Sequence, residues 1–176
     1  MSCTNTIVGL RKSTRTVLAS NGLRISPSGV IINHKANRIS KVYQDQVLFA
    51  STFPDVADEQ VRLALGAELA DSGGDLRRAL RVLAGRLASL GVVREHVGEF
   101  VVGSRTLLAI VDQSGNLFEP DEGLAAVGSA ALIATGAAKA LLMFSEFDIE
   151  QIARESLLLT ASVSNFANDQ IFLEVI

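Results

Sequence analysis

Thr6-Ile7-Val8-Gly9-Leu10-Arg11-Lys12-Ser13-Thr14-Arg15-Thr16-Val17-Leu18-Ala19-Ser20-Asn21-Gly22 is the stretch whose reading decides the fold. Thr6 to Arg11 and Arg15 to Ser20 are short runs rich in β-formers. Lys12-Ser13-Thr14 between them is polar and of hairpin length, and Asn21-Gly22 is a turn signal. Downstream, Ile25 to Gly29 carries Pro27 and Ser28 and reads as a loop, and Arg38 to Tyr43 and Val47 to Ala50 form a second hairpin about Gln44-Asp45-Gln46. Pro54-Asp55 ends the strands, and Asp55 is the expected N-cap of a helix to about Ala70 with Val61, Leu65 and Leu69 in one stripe. Ser72-Gly73-Gly74 breaks that helix, Asp75 can cap the next, and Leu76, Leu80, Leu83, Leu87 and Leu90 give it an apolar face up to Gly91.

The pattern then repeats. Glu99 to Val102 and Thr106 to Asp112 read as strands joined by Gly103-Ser104-Arg105. Leu117-Phe118-Glu119 and Gly123 to Val127 are expected to continue that sheet. A helix rich in small residues should start at Gly128-Ser129 and run to about Phe144, and another should span Ile149 to Thr160. Ser162 to Phe166 and Gln170 to Ile176 return to strand. Strands, two helices, strands, two helices and strands form segregated runs, which argue an α+β class with two antiparallel sheets face to face and helix pairs outside. A chain of 176 residues suits one domain over 1–176. No Gly-x-Gly-x-x-Gly follows the first strand and no Walker A motif occurs, so a doubly wound nucleotide fold is not indicated.

Composition narrows the function classes. Apolar residues are 48% and charged residues 20% of the chain, which excludes intrinsic disorder. Mean hydropathy is +0.33, yet the longest uncharged run, Gly123 to Ala138, is shorter than a membrane span of roughly eighteen residues or more. With no Trp and one Tyr, the apolar excess is aliphatic and alanine, and it points to a thick core, a subunit interface or both. Net charge is −3, and Arg77, Arg78, Arg81 and Arg86 have Glu68, Asp71 and Asp75 beside them, so they read as a solvated helix face and give no nucleic-acid footprint. Cys3 is the only cysteine and the N-terminus lacks a basic-then-apolar signal pattern, so the expected setting is cytoplasmic.

Several segments carry a resemblance. They are Thr6 to Lys12, Ala36-Asn37-Arg38-Ile39, Tyr43 with Val47-Leu48, Ala57-Asp58, Leu124 to Ser129, Ala140-Leu141-Leu142 and Ile152-Ala153. In order and spacing, over nearly the whole chain, they resemble the HslV (ClpQ) family of bacterial proteasome-like β-type peptidase subunits. The resemblance implies the four-layer αββα sandwich of the N-terminal-nucleophile hydrolases. In that family the first residue of the mature chain is a threonine whose hydroxyl attacks the scissile carbonyl while its own amine helps move the proton. A lysine assists, an aspartate fixes the lysine, glycine amides bind the oxyanion, and a serine at the third helix orients the amine.

Carried over residue by residue, the resemblance puts Asn5 at the nucleophile position, Asn21 at the aspartate, Arg38 at the lysine and Ser162 at a later aspartate. A carboxamide has no nucleophilic hydroxyl, Asn21 has no charge, and an arginine with a pKa above about 12 is a poor proton carrier. The glycine-rich oxyanion loop falls on Thr52-Phe53-Pro54-Asp55, where there is no glycine and Pro54 has no N–H. Only Ser129 matches, and read simply as a residue type it would be a helix N-cap. Thr4 and Thr6 are the alternative nucleophiles if processing exposes them, but a one-residue shift along a strand turns a side chain to the other face. Cys3 lies two residues beyond the expected position.

His34 and His96 sit in polar segments far apart, and metal-ligand spacing is absent. The resemblance implies no cofactor beyond a monovalent cation such as Na+ on the main-chain carbonyls of Ala161, Ser164 and Ala167.

Three functions follow as expectations. The first is a catalytically silent HslV-like ring subunit, a pseudoenzyme acting as scaffold, chamber wall or regulator. It would assemble as a homo-oligomeric hexameric or heptameric ring, single or double, with an active paralogue or an HslU-like ATPase as further partners, and without nucleic acid or membrane. The second is an active threonine-type endopeptidase after N-terminal processing. The third is binding of a small anionic ligand in the vestigial cleft, where Arg38 could hold a carboxylate or phosphate.

Overall fold

The computed structural model describes residues 5–26, 30–90 and 97–176. The opening stretch is the predicted hairpin, β1 (Thr6–Lys12) and β2 (Arg15–Asn21), closed by a two-residue turn with Ser13 at φ 57°. A short pair, β3 (Arg24–Ile25) and β4 (Ile31–Asn33), flanks the segment read as a loop. The second hairpin is β5 (Ile39–Val42) and β6 (Val47–Ser51). Helices α1 (Asp55–Asp71) and α2 (Leu76–Arg86) follow, and a 3-10 turn (Leu87–Ser89) extends α2. Next come β7 (Glu99–Gly103), β8 (Leu108–Asp112), β9 (Leu117–Phe118) and β10 (Leu124–Gly128). Then α3 (Ala131–Phe144), α4 (Ile149–Val163) and β11 (Ile171–Val175) complete the chain.

The strands form two antiparallel sheets, β10-β1-β2-β11 and β5-β6-β7-β8-β9. Strand periodicity then builds the layers, because successive side chains point to opposite faces. On β1, Val8 and Leu10 join the cluster with Ala134, Ala138, Ile152 and Leu157 of the second helix pair, whereas Ile7 joins Leu48, Val101 and Val127 between the sheets. On β6, Phe49 packs with Val61, Leu65, Leu80 and Leu83 of the first helix pair, while Leu48 and Ala50 face the other sheet. Both central strands are therefore buried on both faces, and three apolar interfaces separate four layers in the order α, β, β, α. Gly9 lets the sheets meet: a Cβ there would lie 2.8 Å from Leu18 and 3.0 Å from Leu108. This is the α+β sandwich expected from the segment order.

Several local expectations are corrected. Pro54 is the N-cap of α1 and Asp55 is its first helical residue, with no side-chain cap bond. Proline's fixed φ suits a chain entering a helix, and Asp55 instead turns to two arginines. Gly123 to Val127 does not continue the second sheet. Gly123, at φ 65°, swings β10 across to pair with β1, Leu124 opposite Leu10. Ser162 to Phe166 is not a strand, since Ser162 and Val163 end α4 and only Ile171–Val175 pairs with β2. Ser129 does not cap α3; Ala130 holds that position. Other expectations stand. Asp75 caps α2, its carboxylate accepting from Arg78 N at 3.1 Å, and the leucines at 76, 80, 83 and 87 are buried. Gly91, His96, Thr4 and Cys3 lie outside the described residues. Among the described residues no helix is long and apolar enough to cross a membrane.

Candidate functional site

The hairpin register fixes what meets at the open end of the first sheet. With Ile7 opposite Ser20, Asn5 and Thr6 come against Ser20 and Asn21, and on the other side Thr6 pairs with Gly128. Asn5, Thr6, Ser20 and Asn21 are all buried. Asn5 Nδ2 donates to Ser20 Oγ at 2.8 Å, and Ser20 Oγ donates to the Asn21 carbonyl at 3.0 Å. Asn21 Oδ1 accepts from the main-chain N–H of Thr6 at 3.1 Å. Thr6 Oγ1 accepts from Ala130 N at 3.2 Å, which ties the entrance of α3 to β1. Asn5 Oδ1 and Asn21 Nδ2 have no hydrogen-bond partner among the described residues. Gly128, at φ 103°, is needed here because a Cβ would collide with the Asn5 carbonyl. Ser129 beside it is exposed.

Arg38 belongs to a neighbouring cluster. Its Nη1 lies 3.0 Å from Asp55 Oδ1, and Arg24 pairs with the other oxygen of the same carboxylate. These residues, with Asn37, Ser40 and Asp58, line a cavity of about 220 Å³. Asp58 accepts a hydrogen bond from Ser51 Oγ. Burial pushes its carboxyl above the usual range, against that hydrogen bond and the charges of Arg38 and Arg62. Two arginines and two aspartates leave this cavity without a net positive charge, so it offers an anion little. The oxyanion-loop positions are also committed: Thr52 N donates to Glu99 O at 2.9 Å and Phe53 N to Ser51 Oγ at 3.3 Å.

A second cleft, of about 450 Å³, borders Gly128 and Ser129 and is lined also by Thr52, Gly98, Glu99 and Asp112. Burial pushes the Glu99 carboxyl up, and the negative charge of Asp112, its cross-strand partner, adds to the effect. Ser162 stands on the exposed surface of α4, its hydroxyl donating to Leu159 O at 2.7 Å. The Ala161, Ser164 and Ala167 carbonyls lie about the turn leaving α4, where Ser164 O accepts from Ala167 N at 3.3 Å. His34 is exposed. No group of three metal-ligating side chains occurs among the described residues.

The structure thus joins Asn5 and Asn21 with Thr6 and the Gly128–Ala130 segment. It turns Arg38 to Asp55 and places Ser162 on a helix surface. Sequence reasoning missed Ser20, Glu99 and the pairing of Asp55 with Arg24 and Arg38. The hairpin register would have found Ser20, since a two-residue turn at Ser13-Thr14 dictates every pair along β1 and β2. Asp55 and Glu99 are brought in by segments far apart in the chain and left no such signal.

Two antiparallel sheets between helix pairs, with the polar site at the N-terminal end of the first strand, define a proteasome-type subunit of the N-terminal-nucleophile hydrolase fold. No protein-family model matches the chain. The ATP-dependent protease subunit HslV of Syntrophobacter fumaroxidans is 30% identical over 171 residues, 96% of this chain and 94% of that one. The chain belongs to the HslV family. Its fold matches eukaryotic HslV from Trypanosoma brucei with a TM-score of 0.89 at 23% identity, over 97% of this chain and 98% of the other. It also matches Thiobacillus denitrificans BPH, alone and in complex with epoxomicin, with TM-scores of 0.71 at 20% and 19% identity, over 97% of each chain.

Proposed function

We propose that this chain is a ring-forming HslV-type subunit without threonine peptidase chemistry, acting in the cytoplasm as scaffold, chamber wall or regulator of a homo-oligomeric ring. The observation that carries this reading is the buried Asn5–Ser20–Asn21 chain of hydrogen bonds. Family chemistry there would need a hydroxyl or thiol with a base beside it. Asn5 provides a carboxamide, Asn21 is neutral, and Arg38 gives its charge to Asp55. Thr6 does not substitute for the nucleophile. Its hydroxyl is fully buried and accepts from Ala130 N, and its main-chain nitrogen is bound to Asn21. The amides that could hold an oxyanion at 52 and 53 already have acceptors.

Support for assembly is the exposed apolar surface of α3, α4 and the segments beside them, with Leu132 90% and Phe144 83% exposed and Met143, Val163 and Phe166 also open. Patches of this kind mark contact surfaces on soluble proteins. The test combines intact mass, native mass and hydrolysis of fluorogenic peptides on one preparation, with and without an HslU-type ATPase. The expected result is a multimer whose chain starts at Met1 or Ser2 and which turns over no peptide. Turnover by a chain beginning at Thr4 or Thr6 would overturn the silent site, and a monodisperse monomer would overturn the ring.

A further inference from the structure

Asn21-Gly22 is the chain's one Asn-Gly pair. Such a pair is chemically labile wherever the backbone is free to bend. The Gly nitrogen, once deprotonated, attacks the Asn Cγ, forming a C–N bond and expelling ammonia. Water then opens the succinimide to aspartate or isoaspartate. One water enters and one ammonia leaves, nothing is oxidised or reduced, and the chain gains one negative charge.

The fold keeps the reacting groups apart. The Gly22 N–H donates to two acceptors at once, Gln170 O at 2.7 Å and Asn168 Oδ1 at 3.1 Å. Asn21 is fully buried and extended in β2, opposite Ile171, and its Oδ1 is held by Thr6 N. Asn168 is itself anchored, its Nδ2 donating to His34 O at 2.9 Å. Glycine at 22 has a packing reason, since a Cβ would lie 2.6 Å from His34 O and 2.9 Å from the Phe172 ring. The labile pair is thus imposed by packing and held closed by the segment that leads into β11.

We propose that Asn168 and the Gln170 carbonyl form a clamp that blocks deamidation of Asn21 in the folded chain, so that Asn21-Gly22 is modified only when the end of β2 opens. The conversion is then self-sealing. It leaves a carboxylate in a fully buried place where the Asn21 amide nitrogen has no partner among the described residues, and a poorly paired buried charge opposes reclosure.

Peptide-resolved mass spectrometry of the full chain at mildly alkaline pH, in buffer and in urea, tests the clamp. Conversion at position 21 should be at least about tenfold slower in buffer, the least that a local opening equilibrium favouring the closed state ten to one imposes. Asn168→Ala should speed conversion in buffer, and Asn168→Asp, which keeps the acceptor but loses the Nδ2 bond to His34 O, should convert more slowly than Asn168→Ala; circular dichroism checks that both variants fold. Hydrogen exchange at the Gly22 amide of the parent chain gives a measure that needs no variant, and slow exchange is expected. Equal rates in buffer and urea, rapid Gly22 exchange, or an Asn168→Ala rate equal to the parent's in buffer would each overturn the proposal.

Discussion

Asp58 lies in the cavity wall beside the Arg38–Asp55 pair, with the Ser51 hydroxyl donating to its carboxylate. Burial raises its pKa above the ordinary 3.8, so the folded chain holds that proton more tightly than the unfolded chain does. Stability is therefore lost as pH rises from the ordinary carboxylate range through the raised folded value, and the loss is complete above it. Asp58→Asn keeps an acceptor for Ser51 and removes the charge. Its melting temperature should exceed the parent's at neutral pH, and the gap should close once the pH falls below 3.8. A lower melting temperature at every pH would mean that Arg38 and Arg62 outweigh the desolvation. At Asn5, the Asn5→Thr variant restores a hydroxyl but neither a carboxylate at 21 nor an unpaired lysine, and fluorogenic peptides should remain uncleaved. Asn5 and Asn21 were legible in the sequence through the resemblance carried by Thr6 to Lys12, which fixes their positions over a few residues. The capture of Arg38 by Asp55 was not, since it depends on how α1 sits against β5.

Among the elements, α2 is the best specified by its own residues. Its leucine stripe is buried and its Asp75 cap is in place. Asp75→Ala should cost about 1 kcal/mol in a urea melt, and Leu80→Ala roughly 2–5 kcal/mol, since its fully buried side chain would leave a cavity. Helix α1 contrasts with it. Asp55 caps nothing, so any effect of Asp55→Ala should come from loss of the Arg24 and Arg38 pairs and should weaken with added salt. Strand β10 shows where local reading fails. Leu124–Gly128 looks like the continuation of the strands before it, but a left-handed Gly123 sends it to the other sheet. Ser162 and Val163 are held helical within α4, which begins with a full capping box at Asp148 and Gln151.

At the scale of the whole molecule, three apolar interfaces absorb the core, yet Leu132, Met143, Phe144 and Val163 stay exposed. If these residues seat subunits in a ring, Leu132→Asp and Phe144→Asp together should reduce the native mass to that of smaller species without unfolding the chain. Circular dichroism with native mass spectrometry separates dissociation from collapse. An unchanged multimer would move the contact surface elsewhere.

The sequence by itself determined the segregated order of strands and helices, the β1–β2 hairpin and the absence of hydroxyl and carboxylate at positions 5 and 21. These follow from side-chain type and from periodicities of two and about four residues, which act over a few neighbours. Only the tertiary structure decided which sheet receives β10, which carboxylate claims Arg38 and that Thr6 is buried. Each of these depends on contacts between segments distant in the chain, such as Thr6 with Ala130, where burial and competing hydrogen-bond partners set the outcome.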